Sequence, residues 1–199
     1  MKRHGLDLMA RPAIAGLALL GLAACGTNDP IRSINYANSP DSDYTRDFMQ
    51  WAGSSGPVLI ELRDNPFPIG AAVVARTIAE ASNGAPSGGI VTFTANPADA
   101  ARPEWRVVYS FYPGSAVTSA QLCDESRQLA HRPQEGRLEV LVAFCNERYV
   151  IGSVGISAPP IAPGDTVGLA QLAERGMTDL LQPGKRGNDY PDKYPRRSM

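Results

Sequence analysis

Cysteine and histidine are the side chains of this protein whose types are best suited to chemistry, and they are few. The 199 residues include three cysteines and two histidines. These residues are Cys25, Cys123, Cys145, His4 and His131. Thiolates and imidazoles bind zinc and serve as nucleophiles or bases, whereas two thiols can also pair in a disulfide. The chemistry open to each therefore depends on which of them belong to the folded domain.

The N-terminal segment has the layout of a secretory signal peptide. Residues 1–11 carry three basic side chains against one acid, Asp7, and residues 12–22 carry no charge. A basic start, a short apolar run and then small residues are typical of an exported precursor. The apolar run of 11 residues is too short to span a bilayer, which takes about 20. The alternative is a buried N-terminal helix, and it is disfavoured because the run is apolar on all sides.

The signal peptide would end in Leu22-Ala23-Ala24-Cys25, which resembles the lipobox of bacterial lipoproteins. The resemblance covers residues 1–26 and includes the leucine, both small residues and the cysteine of the motif. It implies cleavage before Cys25, a diacylglyceryl group on the Cys25 sulfur and acylation of the new amino group. Gly26 follows, where an aspartate often retains a lipoprotein in the inner membrane. The resemblance thus favours a lipid anchor in the outer membrane and a domain facing the periplasm.

The remaining chain divides into a linker, one domain and a tail. Residues 25–42 are polar and rich in turn formers, and they are predicted to form a flexible linker that carries the lipidated cysteine. The pattern predicts a single domain over residues 43–182. Residues 183–199 are predicted to be a disordered basic tail, which either contacts anionic lipid or polymer or is simply solvated. The formal net charge of −1 gives no basic field that would attract nucleic acid.

The hydrophobic pattern of the domain predicts an α+β fold. Helices are predicted at 43–52, 70–82 and 166–181, and strands at 57–63, 90–95, 105–112, 137–145 and 148–157. We expect a two-layer sandwich, in which a mostly antiparallel sheet of about five strands packs against two or three helices on one face. The first helix would direct Phe48 and Trp51, or Trp51 and Met49, to the core. The other two would bury the stripes Ala71, Val74, Ile78 and Ala81, and Leu169, Ala173, Met177 and Leu180.

Local turn and cap residues complete the prediction. Asn83-Gly84 would end the second helix as a left-handed cap. Asn146-Glu147 would form the two-residue turn of a hairpin. Asp165 would cap the start of the third helix.

With Cys25 assigned to the anchor, Cys123 and Cys145 remain as an even pair in an oxidising compartment, where disulfides form. In the strand 137–145 the apolar residues alternate, so Cys145 points away from their face and toward the segment that contains Cys123. A bond between the two would close a loop of 23 residues and contribute about 3 kcal/mol. Two separate buried thiols are the alternative. The chain has no C-x-x-C motif, so we expect a structural bond.

The domain contains few of the residues and motifs that catalysis requires. Its one histidine is His131, and a zinc site would need thiols that the disulfide occupies. The sequence contains no G-x-S-x-G elbow and no phosphate-binding glycine loop. The glutamates Glu61, Glu80 and Glu139 fall on predicted exposed faces, which leaves no facing carboxylates for glycoside hydrolysis. We therefore expect no catalytic site, no metal and no cofactor.

The sequence favours a non-catalytic domain that binds or scaffolds another component of the envelope, with a protein as the expected partner. Function concentrates in loops, so we expect contact surfaces in the loop 65–68 and within 113–136. The alternative is an envelope hydrolase with a site around His131.

Overall fold

The computed structural model describes residues 31–34, 42–85, 91–133 and 136–181. The strands are β1 (Arg32–Ile34), β2 (Val58–Leu62), β3 (Phe93–Thr94), β4 (Trp105–Phe111), β5 (Leu138–Asn146) and β6 (Tyr149–Ala158). The helices are α1 (Ser42–Gly53), α2 (Ala71–Gly84), α3 (Ser119–Cys123) and α4 (Thr166–Leu181), with a 3₁₀ turn at Pro97–Asp99. The α+β class expected from the sequence is confirmed. The predicted signal peptide, Cys25 and the predicted tail 183–199 lie outside the described residues.

The six strands form one mixed sheet in the order β1-β6-β5-β4-β2-β3. The pairs β1–β6, β6–β5 and β5–β4 are antiparallel, whereas β2 runs parallel to both β4 and β3. As a result β2, β4 and β6 all run in one direction. We call the end where they finish, at Leu62, Phe111 and Ala158, the upper end of the sheet. The opposite end, where they start, is the lower end.

Helices α1, α2 and α4 pack on one face of the sheet and enclose the main core. The predicted α4 stripe, which is Leu169, Ala173, Met177 and Leu180, is fully buried there. Asp165 caps α4 as predicted, because its carboxylate accepts a 2.8 Å hydrogen bond from the Gly168 N–H. The short α3 covers the opposite face with a second, smaller cluster. The sequence left α3 as part of a loop.

The flexible linker predicted over 25–42 is wrong for Arg32–Ile34, which form β1. Arg32 pairs with Ser157, and Ile34 pairs with Gly155. The pairing uses backbone groups at the edge of β6, so it requires no alternating apolar pattern within the linker itself. The chain is thus joined to the sheet ten residues before α1 begins at Ser42.

Two predicted core assignments are wrong. Trp51 is 51% exposed, whereas Met49, which one of the two alternatives assigned to the core, is buried together with Thr45 and Ala52. Ala71 is also exposed, because α2 starts beyond the edge of the core. Val74 and Ile78 are buried as expected.

Both predicted turns differ in detail. Ala85 follows α2 with φ −65° and ψ 149°, which is extended backbone, so no left-handed cap forms. The Asn83 side chain instead accepts a 2.7 Å hydrogen bond from the Phe93 N–H and holds β3 beside α2. The predicted hairpin is present, but Asn146 pairs with Tyr149. Its two turn residues are therefore Glu147 and Arg148, with Glu147 at a φ of 50°.

No helix among the described residues has both the length and the apolar character needed to cross a membrane.

Candidate functional site

Cys123 and Cys145 are joined in a disulfide, as the sequence predicts. The bond connects α3 to the end of β5, and both cysteines are buried. Their neighbours in the smaller core are apolar: Val108, Val117, Leu122, Leu129, Leu141 and Ala143. A disulfide enclosed in this way acts as a structural link between α3 and the sheet.

The guanidinium of Arg106 is a buried charge beside this disulfide, since the residue is only 4% exposed. Its Nε lies 2.7 Å from Glu61 Oε2, and its Nη2 lies 2.6 Å from Glu125 Oε1. Nη2 also donates a 3.2 Å hydrogen bond to the Cys123 carbonyl. Burial raises the pKa of Glu61, although the charge of Arg106 opposes that shift. The expectation that Glu61 lies on an exposed face is therefore wrong.

A shallow depression of about 400 Å³ opens over these groups. It is lined by Pro103, Glu104, Arg106, Cys123, Asp124, Glu125, Ser126, Glu147 and Arg148. Its four carboxylates stand against two guanidinium groups, so its surface is acidic. Within the described part of the chain, no three His, Cys, Asp or Glu residues are placed to hold a metal ion.

A serine, an aspartate and a histidine meet at the upper end of the sheet. Asp64 follows β2 and accepts hydrogen bonds from the Ser110 hydroxyl at 2.9 Å and the Phe111 N–H at 3.0 Å. His131 Nδ1 lies 3.4 Å from Asp64 Oδ2. The buried Ser110 hydroxyl thus donates to the carboxylate, whereas a hydrolase triad needs the serine to donate to the imidazole. The cluster fastens the segment around His131 to the sheet.

The two predicted contact loops both adjoin this cluster. The loop 65–68 begins directly after Asp64, and its Phe67 packs edge-on against Phe111 with ring centroids 5.1 Å apart. The segment 113–136 is held by the Arg63 guanidinium, which donates to the carbonyls of Leu122, Asp124 and Arg127. Part of the backbone of the segment 113–136 is therefore bonded to Arg63, the residue that directly follows β2.

Asp64 gives a testable pH dependence. Burial raises its pKa above 3.8, although hydrogen bonds from Phe111 and Ser110 and the charges of His131 and Arg63 oppose this. Between 3.8 and the raised value the folded state binds more protons than the unfolded state, so this group lowers stability as the pH rises through that interval. We expect the free energy of unfolding of Asp64→Asn, relative to wild type, to increase over the same interval.

Urea unfolding at a series of pH values measures this difference. Asp47→Asn is the control for the loss of an aspartate carboxylate, because Asp47 is exposed. A relative stability of Asp64→Asn that falls with rising pH would contradict the assignment.

An aromatic cluster at the lower end was missed by the sequence analysis. Tyr44, Phe48 and Trp51 form one stripe of α1, and both Phe48 and Trp51 pack against Trp105, with ring centroids 5.5 and 5.1 Å apart. The Arg102 guanidinium lies 3.8 Å from the centroid of the Trp51 ring and donates to the Trp51 carbonyl. Tyr44 and Trp51 are each 51% exposed. Tryptophan, tyrosine and arginine are enriched among the residues that dominate the energetics of protein interfaces, so this exposed cluster is a candidate binding surface.

Similarity to known proteins is slight. No family model matches the chain, and no curated protein matches it. A dodecamer of a PelC variant from Paraburkholderia phytofirmans is 11% identical, with a TM-score of 0.41, over 76% of this chain and 98% of that chain. A second PelC dodecamer from that organism is 12% identical, with a TM-score of 0.37, over 77% of this chain and 96% of that one. Similarity at this level carries no argument about function.

Proposed function

We propose that this chain is a lipid-anchored lipoprotein of the bacterial cell envelope and that its domain binds another envelope component without catalysis. The lipid on Cys25 anchors the domain, which faces the periplasm, and the outer membrane is the favoured location. The partner is an envelope protein.

The observation that carries this proposal is the buried disulfide between Cys123 and Cys145. Disulfides persist in oxidising compartments such as the periplasm and are rare in the cytosol. The bond uses both cysteines of the folded domain and leaves Cys25 to a separate role. The sequence Leu22-Ala23-Ala24-Cys25 supports that role, because it resembles a lipobox that ends a signal peptide.

The expected anchor is strong enough to hold the domain at a membrane. Each buried CH₂ group contributes about 0.8 kcal/mol, so one acyl chain binds reversibly, whereas two or more give stable attachment. A lipidated and acylated Cys25 would carry at least two chains. The domain itself then needs no membrane-spanning segment.

Two features support binding in preference to hydrolysis. The exposed aromatic cluster offers rigid side chains of the kind that supply interface energy. At the other end of the sheet, the Ser110 hydroxyl donates to Asp64 and not to His131, so these three residues do not have the geometry of a nucleophile activated by a base.

Replacing Cys25 tests the anchor. We expect the wild-type chain, produced in a bacterium with two membranes, to lose residues 1–24 and to sediment with the outer membrane. Cys25→Ser removes the sulfur that accepts the lipid, so this variant should lack the lipid and leave the outer-membrane fraction. Intact-mass measurement and density-gradient fractionation check both expectations.

The double variant Cys123→Ala, Cys145→Ala is the matched control, because it removes the two other thiols and should still be lipidated. A wild-type product with an unmodified thiol at Cys25, or with residues 1–24 still attached, would refute the proposal.

His131→Ala separates binding from hydrolysis. Crosslinking in the native envelope should capture the same partner with this variant as with wild type. Loss of the cellular phenotype in a folded, correctly localised His131→Ala variant, with partner capture intact, would favour the hydrolase instead.

A further inference from the structure

The chain from Cys25 enters the domain at the upper end of the sheet. β1 is antiparallel to β6, with Arg32 opposite Ser157 and Ile34 opposite Gly155. Since β6 runs upward and finishes at Ala158, Arg32 lies beside the upper end of that strand. β1 therefore fixes the point at which the segment 26–31, which we call the tether, meets the domain.

Even when fully extended, the tether spans less than the length of the sheet. Six residues, 26–31, separate Cys25 from Arg32, and an extended chain spans at most about 3.5 Å per residue, so Arg32 lies within roughly 25 Å of Cys25. The ten residues of β6 rise about 3.4 Å each and place the lower end roughly 30 Å beyond the upper end.

The long helices α2 and α4 both run from the upper end of the sheet to its lower end. Each follows a strand that finishes at the upper end, and each ends at the lower end. The Asn83 side chain, near the end of α2, bonds Phe93, which is opposite Val58 at the start of β2. Arg46 of α1 donates to the carbonyl of Leu181, the last residue of α4. The first turns of α2 and α4 are thus at the end where the tether enters.

Exposed apolar side chains mark these first turns. Val73 is 43% exposed and Val167 is 66% exposed. The loops that lead into the two helices carry the exposed prolines Pro66, Pro68, Pro160 and Pro163. By contrast, the exposed side chains Trp51 and Tyr149 lie at the lower end.

We propose that the upper end, around Val73 and Val167, rests against the lipid surface that holds Cys25 and that the aromatic cluster is directed away from that surface. The inference depends on the proposed lipid anchor. The upper end contacts the headgroup layer of the anchoring membrane, because the short tether keeps that layer within reach. The envelope partner then meets the domain at the aromatic cluster.

Single labelled cysteines test this orientation. In the lipidated protein Cys25 carries lipid and Cys123 is bonded to Cys145, so an added cysteine supplies a single reactive thiol. The lipidated full chain, carrying Val73→Cys, Val167→Cys or Tyr149→Cys with a donor dye, is reconstituted in vesicles of phosphatidylethanolamine and phosphatidylglycerol that contain an acceptor-labelled lipid. We expect energy transfer at least about twofold stronger from positions 73 and 167 than from 149, given the roughly 30 Å between the ends.

A longer tether is the control. Inserting 20 Gly/Ser residues after Thr27 adds about 25 Å of root-mean-square reach and should make energy transfer from the three sites similar. If vesicle-bound protein with the native tether gives equal or reversed transfer, the orientation is wrong while the anchor stands. If the wild-type chain does not float with the vesicles, the proposed anchor itself fails.

Discussion

Arg106→Met is expected to lower the free energy of unfolding by about 3–5 kcal/mol, as is typical when one partner of a buried ion pair is removed. The arginine is almost wholly buried and lies within ion-pair distance of Glu61 and Glu125. Its loss leaves the half-buried Glu61 carboxylate without its cation and the Cys123 carbonyl without its donor. Methionine retains much of the side-chain length, so the change mainly removes charge and hydrogen bonds.

Urea unfolding at neutral pH measures this effect, and the matched control is Glu125→Gln. The Glu125 side chain is 66% exposed, so solvent screens its pairing and the control should cost at most about 1 kcal/mol. The pKa of Glu61 should rise further in Arg106→Met. The deficit of this variant should therefore grow as the pH rises above 4.5. Equal losses in the two variants would show that the Arg106–Glu61 pair does not have the assigned role.

Removing the disulfide is expected to cost about 3 kcal/mol on the chain-entropy account, because the bond closes a loop of moderate length. Cys123→Ala combined with Cys145→Ala tests this without placing a hydroxyl in the smaller core. Arg63 still binds the carbonyls of Leu122, Asp124 and Arg127, so the segment around α3 should remain docked. We expect unfolding of the variant at lower urea concentration but with native-like circular dichroism.

A reducing agent supplies the internal control for this second prediction. It should destabilise the wild-type domain by about the same amount as the double substitution, and it should not affect the double variant. A wild-type stability that is insensitive to complete reduction would contradict the prediction.

The sequence predicts well those elements whose hydrophobic periodicity and capping residues lie within the element itself. The stripe of α4 and its cap at Asp165 are local, so spacing alone identifies them. The alternation of the strand 137–145 placed Cys145 on the face opposite the main core, and this led to the correct cysteine pairing.

The features that the sequence did not reveal depend on contacts between distant segments. The parallel pairing of β2 with β4 places Leu59 opposite Arg106 and Glu61 opposite Val108, and no pattern within either strand specifies it. The burial of Glu61 beside Arg106 follows from that pairing. Trp51 was assigned to the core as an apolar residue, yet Trp105 and Arg102 hold it at the surface.

The candidate surface was only partly predictable for the same reason. The loops 65–68 and 113–136 were chosen because they lack regular structure, but both are held by side chains: Asn65 accepts from the Phe67 N–H in the first loop, and Arg63 donates to the Asp124 carbonyl in the second. The spacing of Tyr44, Phe48 and Trp51 was visible in the sequence. Its significance depends on Arg102, which is 51 residues further along the chain.

The strands at both borders of the sheet are very short. β1 spans three residues and β3 spans two, so each outermost strand offers few backbone groups to a neighbouring molecule. Long, flat borders invite sheet-to-sheet pairing and aggregation. If the proposed lipid anchor holds many copies in one plane, these short border strands should limit pairing between the sheets of neighbouring molecules.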